Sequence, residues 1–144
     1  MSYAQRFHED SWYFAISVLE EVRTPVAILA IAELGDSVRP HLDVRMEDAQ
    51  KIVCALTNSL LGKPQPRISE SVRVLFRDFL HAFLAVALKQ VWISSAIASL
   101  GKVGDSSSLS IIRNIQLSDD LWKVVPRRAI REIKKRCDNT KGDT

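Results

Sequence analysis

The residues best suited to bind a ligand lie in the last helical stretch of the sequence. Five cations there follow the spacing i, i+1, i+4, i+7 and i+8, which places them on one helix face, opposite the apolar face. They are Arg127, Arg128, Arg131, Lys134 and Lys135. Such a row can follow a phosphate backbone or an acidic protein surface. The alternative is the solvated outer face of a capping helix, whose cations near the C-terminus are favoured by the helix dipole.

No catalytic or metal-binding pattern is recognisable. His8, His41 and His81 are scattered along the chain. The adjacent His8 and Glu9 would point in different directions on a helix, so no metal site is predicted. The segment GKVGDSSS, residues 101–108, lacks the spacing and the preceding strand of a nucleotide-binding loop and indicates a turn between helices. We therefore predict no catalytic residue, no cofactor and no enzymatic activity.

Two tryptophans are candidate anchors for a bound partner. Trp92 and Trp122 lie near the starts of two corresponding predicted helices. Large aromatic side chains in a groove can anchor a peptide or stack on a base. Trp12 falls on the apolar side of the first predicted helix, where core packing is the expected use.

Composition and charge indicate one globular domain, residues 1–144, with a basic end. Hydrophobic residues make up 47% and charged residues 26% of the chain, and five glycines and five prolines favour helices over a β-sandwich. The net charge is +3. Residues 1–120 hold 12 Lys and Arg against 14 Asp and Glu, whereas residues 121–144 hold 8 against 3. The positive excess is confined to the C-terminal segment.

The sequence predicts a cytoplasmic protein that does not cross a membrane. Its first residues lack the basic, apolar and small-residue order of a signal peptide. Cys54 and Cys137 are too few for a disulfide framework and are expected to be reduced. The apolar stretch 79–100 is divided by Lys89 and Gln90 into runs of about ten residues, short of the roughly 20 that a membrane span needs.

The stretch 69–100 is predicted to form the centre of the fold. Its apolar residues recur with the period of a helix, and no Gly or Pro stands between Pro66 and Gly101. A single helix over all the residues between Pro66 and Gly101 would be roughly 51 Å long. A compact domain of this size has a diameter of roughly 40 Å. We therefore predict two helices packed back to back, with the break between Ala85 and Gln90.

Five further helices are predicted, for a total of seven. The first, residues 3–22, should be largely covered by its neighbours, with Phe14 and Val18 widening its apolar side. Thr24 and Pro25 start a second helix that should stop at Gly35. The remaining expectations concern boundaries. A connector should cover 36–43, a third helix should run from about 43 to Gly62, and a loop should cover 62–67. Ser69 should cap the next helix. After the turn at 101–108, which ends in a run of capping residues, a helix is expected over about 109–116. A final helix over about 121–136 should be capped within 118–120 and should kink or begin at Pro126, and a tail over 138–144 should fray.

Internal similarity relates several of these helices. The segment AIAELGD, residues 30–36, and the segment AIASLGKVGD, residues 96–105, share five identities in six positions at an offset of 66. A weaker match, at half that offset, relates residues 88–100 to residues 121–133. A period near 33 residues is a solenoid length.

These motifs, together with VPRRAIREI at residues 125–133, resemble the second helix and following turn of HEAT-repeat and armadillo-like proteins. The resemblance covers about half of the chain and implies an irregular all-α solenoid, a fold that commonly binds other proteins. Two features depart from the pattern: Trp92 stands where a basic residue is usual, and the 62–67 loop interrupts the stacking.

The expected function is therefore a scaffold or adaptor that binds a protein partner. A nucleic-acid-binding module that uses the basic C-terminal helix is the alternative. A HEAT-like enzyme accessory or lyase-type role stays open, as does self-association through an exposed end of the array.

Overall fold

The computed structural model describes residues 3–61, 67–115 and 123–142, and the side chains of 13–61, 67–115 and 123–138. Within these ranges the chain forms helices and no strand. The seven α-helices are α1 Tyr3–Val22, α2 Pro25–Val38, α3 Met46–Leu61, α4 Glu70–Val86, α5 Gln90–Val103, α6 Ser106–Asn114 and α7 Val124–Gly142. The prediction of an all-α fold with seven helices is confirmed for the described residues.

Most helices pack against the second helix that follows them along the chain. The contacts join α1 to α3, α2 to α4, α3 to α5, α4 to α6 and α5 to α7. Neighbours along the chain also touch, including α1 with α2, α4 with α5 and α6 with α7. Phe76, Phe79 and Phe83 on α4 are buried, and the last two rings lie 6.2 Å apart between centroids. Their spacing of three and four residues places them on the inward face of α4.

The predicted break in the central stretch is confirmed. α4 ends at Val86 and α5 begins at Gln90, with extended backbone at Ala87 and Lys89. Leu88 between them is 93% exposed. No helix-breaking residue stands there, so the turn is imposed by the packing of α5 against α3 and α4 rather than by local chemistry.

Two predicted helix starts are also confirmed. The Thr24 hydroxyl accepts a hydrogen bond from the Ala27 N–H at 3.2 Å, and Pro25 occupies the first helical position. The Ser69 hydroxyl accepts from the Val72 N–H at 3.3 Å at the start of α4. Both caps satisfy N–H groups that have no partner within the helix.

The predicted stops at Gly35 and at Gly101 are wrong. α2 continues to Val38 and α5 to Val103, and neither glycine has a positive φ. Each glycine instead lies where two helices touch. A Cβ on Gly35 would lie 3.2 Å from the Phe79 ring, and one on Gly101 would lie 3.2 Å from the Ala129 Cα. The shared motif therefore marks close helix contacts rather than helix ends.

The boundaries of the last two helices also differ from the expectation. α6 begins at Ser106, three residues early, because Asp105 and Ser108 form a capping box. It ends at Asn114. α7 begins at Val124 and extends to Gly142, so Pro126 lies in its first turn, where a missing N–H costs little.

Of the other predicted boundaries, some are confirmed in part and some fall outside the described residues. The connector after α2 contains one 3₁₀ turn, Arg39–His41, and α3 begins at Met46. The predicted stop at Gly62, most of the 62–67 loop and the cap within 118–120 lie outside the described residues.

The first helix is less covered than expected. Ile16 is buried, but Phe14 is 71% exposed and Val18 43% exposed. α1 packs on α2 and α3, and its outer side meets no described helix. None of the described helices is long and apolar enough to cross a membrane.

Candidate functional site

The inner face of α7 is anchored on α5. Ala129 and Ile133 are buried, and Val125, Ile130 and Cys137 are half-buried against the core. The close approach of Ala129 to Gly101 brings the two helix backbones together. This contact fixes which side of α7 turns outward.

Arg136 adds a polar clamp on the same inner side. Its guanidinium donates to the Gly101 carbonyl at 2.9 Å and to the Gly104 carbonyl. These carbonyls belong to the end of α5, where a helix leaves acceptors unsatisfied. Burial, together with the nearby charge of Arg73, lowers the pKa of Arg136, which still stays protonated at neutral pH. Arg136 is therefore a structural cation and not part of the exposed row.

The outer face of α7 is occupied by the predicted row of cations. All five are exposed: Arg127, Arg128, Arg131, Lys134 and Lys135. At about 100° per residue they fall within an arc of about 120°. From first to last they span about 12 Å along the helix axis. We call these five residues the basic face.

Most of the basic face has no counter-charge among the described residues. Arg128 lies 3.6 Å from Glu132, whose carboxylate is already paired with Lys102 at 2.7 Å. Within the part of the chain that the structure describes, Arg127, Arg131, Lys134 and Lys135 form no ion pair. These four positive charges are exposed, and no described acidic residue pairs with them.

The helix dipole does not account for this arrangement. α7 begins at Val124 and ends at Gly142, so Arg127 and Arg128 lie near its positive N-terminal end. Lys134 and Lys135 lie near its middle. Cations are favoured in the last turn of a helix and disfavoured in the first. The helix dipole therefore does not stabilise any of the five cations of the basic face.

Of the two predicted tryptophan anchors, only Trp92 lies within the described residues. Trp92 lies on α5, half-buried and packed against the core. Trp122 lies outside the described residues, as does the side chain of Trp12. Only part of the Trp92 ring is accessible to a partner.

A polar network between α4 and α6 was missed by sequence reasoning. Arg77 pairs with Asp105 at 2.5 Å, and the Ser108 hydroxyl accepts from the Asp105 N–H at 3.2 Å. His81 Nε2 lies 2.7 Å from the Ser108 Oγ. The only signal in the sequence was the run of capping residues in 105–108, which does not reveal its partners on α4.

Electrostatics in this network follow from burial and hydrogen bonding. Burial lowers the pKa of His81, and the positive charge of Arg77 lowers it further. Burial alone would raise the pKa of Asp105, but hydrogen bonds from Ser107 and Arg77 outweigh it and hold that pKa below its usual value. The network thus contains a neutral imidazole and an ionised carboxylate at neutral pH.

This network links α4 to the start of α6 through a buried serine. A serine hydroxyl beside a histidine is the arrangement of a nucleophile and its base. Ser108, however, is 0% exposed, so a substrate has no access to its hydroxyl. Among the described residues, no group of three or more His, Cys, Asp or Glu side chains is placed to hold a metal ion.

Comparisons with known proteins identify no relative. No protein-family profile, no curated protein and no solved structure shows significant similarity to this chain.

Proposed function

We propose that this protein is an irregular HEAT-like α-solenoid without catalytic activity that binds an acidic surface of a partner protein through the basic face of α7. One observation supports the solenoid: helices pack on the second helix along the chain, as stacked helix pairs do. The internally similar segments around Gly35 and Gly101 lie on α2 and α5, each of 14 residues, and each glycine lies against the second helix that follows its own. Since α2 and α5 are three helices apart, they do not hold the same place in a two-helix repeat.

The observation that carries the function is that the basic face has almost no counter-charge among the residues that the structure describes. Arg127, Arg131, Lys134 and Lys135 repel one another, and no described residue neutralises them. An acidic partner would relieve this repulsion, and its approach would be accelerated by the same field. Charges that serve only solubility can be spread over the whole surface. Here they are concentrated on a helix segment about 12 Å long, at about 1.5 Å per residue.

A protein partner fits this face better than a nucleic acid. Val124 is 60% exposed beside the cations. An exposed apolar side chain is matched by an apolar side chain of a protein and not by a phosphate. Outside the last 24 residues the chain carries a small excess of acid, so the net positive charge of the sequence is confined to its C-terminal end. Nucleic-acid binding through the basic face is the alternative that the test below includes.

The test compares two variants of equal charge. Arg127→Glu, Arg131→Glu and Lys134→Glu together reverse the basic face. The control reverses three exposed cations on other elements: Arg39, Arg67 and Lys89. Fluorescence anisotropy follows the binding of a labelled 20-residue polyglutamate peptide, a 20-base-pair DNA duplex and a 20-nucleotide RNA between 50 and 200 mM salt. Circular dichroism establishes that both variants are folded.

We expect the wild-type protein and the control to bind the acidic peptide and the face-reversed variant to lose binding by at least about tenfold. The proposal is refuted if the control loses as much as the face-reversed variant, or if no acidic peptide binds at 50 mM salt. Tighter binding of DNA or RNA would favour the alternative. With four phosphate contacts, that affinity should fall by about two orders of magnitude between 50 and 200 mM salt.

A further inference from the structure

An apolar groove runs between α6 and α7 next to the basic face. Its volume is about 470 Å³. Ile112, Ile115, Pro126 and Ile130 form its floor. Ile112 is fully buried, whereas the other three are half-buried and leave apolar surface open to the groove.

The rim of this groove is cationic. Arg113 on α6 and Arg127 on α7 line it, and both are exposed. Neither forms an ion pair with a described residue. Lys123, just before α7, lines it as well. An apolar floor with a rim of one charge sign selects an occupant that is apolar on one side and anionic on its flanks.

The groove and the basic face are continuous around α7. Counting about 100° per residue, Lys134 lies about 40°, Arg127 about 60° and Arg131 about 100° from the groove residue Ile130. Arg127 belongs to both features. A ligand seated in the groove would therefore place its anionic flank along the basic face.

We infer that the groove takes the apolar side of an acidic amphipathic helix from a partner protein. This inference rests on the proposed function and adds the way in which the partner is recognised. Helices bind in grooves through apolar side chains at i, i+3, i+4 and i+7. The volume lies in the lower part of the 300–1,000 Å³ range of ligand pockets, enough for a few such side chains. A nucleic acid supplies the anionic flank but no aliphatic side chains for the floor.

The experiment uses two synthetic 21-residue peptides with the same number of glutamates. One carries leucines at i, i+3, i+4 and i+7, and the other carries alanines at those positions. Both are titrated at 50 and 150 mM salt into the wild-type protein, into Ile115→Ser in the groove floor, and into Leu88→Ser, a control at an exposed site on the α4–α5 turn. Methyl resonances of Ile112, Ile115 and Ile130 are followed by NMR in the wild-type protein.

The leucine peptide should bind the wild-type protein at least about tenfold more tightly than the alanine peptide. It should shift those three isoleucine methyls. Ile115→Ser should remove most of the difference between the peptides, and Leu88→Ser should preserve it. Equal affinities without methyl shifts would overturn the groove inference and leave the proposed function standing. If neither peptide binds at 50 mM salt, both fail. The methyl shifts decide the outcome even if Ile115→Ser does not fold.

Discussion

Gly101 on α5 and Ala129 on α7 are in such close contact that a Cβ on Gly101 would lie 3.2 Å from the Ala129 Cα. The obstacle is backbone, which cannot rotate away as a side chain can. This contact fixes α7 on α5 and so decides which side of α7 faces solvent. The basic face depends on it.

The first prediction concerns Gly101→Ala. In an unobstructed helix interior this change stabilises by up to about 1 kcal/mol, because alanine has the higher helix propensity. Here the added methyl overpacks the contact with Ala129, which costs about 1–3 kcal/mol. Since the helix-propensity gain offsets part of this cost, we expect a net loss of up to about 2 kcal/mol. Urea denaturation of the variant and the wild-type protein measures the difference. A gain in stability would contradict the contact.

The second prediction concerns Arg136, which holds the end of α5. Arg136→Met should lower the free energy of unfolding by about 1.5–3 kcal/mol, because the Gly101 and Gly104 carbonyls lose a charged donor. Arg131→Met on the exposed side is the matched control and should change stability by less than about 0.5 kcal/mol. Urea denaturation compares the two. Equal effects would show that the clamp does not contribute.

The third prediction is a dependence of stability on pH through His81. Its folded pKa is lowered by burial and by Arg77, so the unfolded chain takes up a proton first as the pH falls. The stabilisation is fully present above the unfolded pKa of about 6.5 and is lost progressively as the pH falls toward the folded value. Asp78 and Asp105 also act on His81 and oppose this shift.

The measurement is the free energy of unfolding at pH 8, 6.5 and 5.5 for the wild-type protein and for His81→Gln. The wild-type protein should lose stability over this interval, and the variant should lose less. Asp105, whose pKa is lowered, titrates below this window, so its stabilisation is lost only in more acidic solution. Identical pH profiles for the two proteins would exclude His81 as the group responsible.

The fourth prediction concerns Asp105, which caps α6 and pairs with Arg77. Asp105→Asn keeps a capping oxygen but removes the charge, so it should destabilise less than Asp105→Ala, which loses both. We expect a loss of about 1–3 kcal/mol for the alanine variant at pH 7. Thermal or urea unfolding of the two variants gives the order. A smaller loss for alanine than for asparagine would contradict the assignment.

Local chemistry explains which parts of the fold were predictable. Thr24 with Pro25, and Ser69, carry their signals within a few residues, so those helix starts were found. The end of α4 was located by length alone, because a 51 Å helix, at about 1.5 Å per residue, is too long for the domain. The basic face was predictable because its five residues are neighbours along the chain, so helical periodicity alone places them together. The same periodicity places Arg136 outside this face.

Features that depend on tertiary contacts were not predictable. Nothing near Gly35 or Gly101 distinguishes a helix end from a helix contact, because the difference lies in Phe79 and Ala129, far along the chain. Phe14 has the pattern of a core residue but lies on the outer side of the first helix. The groove between α6 and α7 combines residues whose spacing indicates only two amphipathic helices.

The most direct test of the account is to locate the binding surface on the wild-type protein. Amide resonances are assigned, and an acidic peptide is titrated in at 50 mM salt while ¹⁵N–¹H spectra are recorded. We expect the largest shift changes to fall on residues 127–135 of α7 and to extend to the end of α6. Changes confined to other helices, or none at saturating peptide, would contradict it.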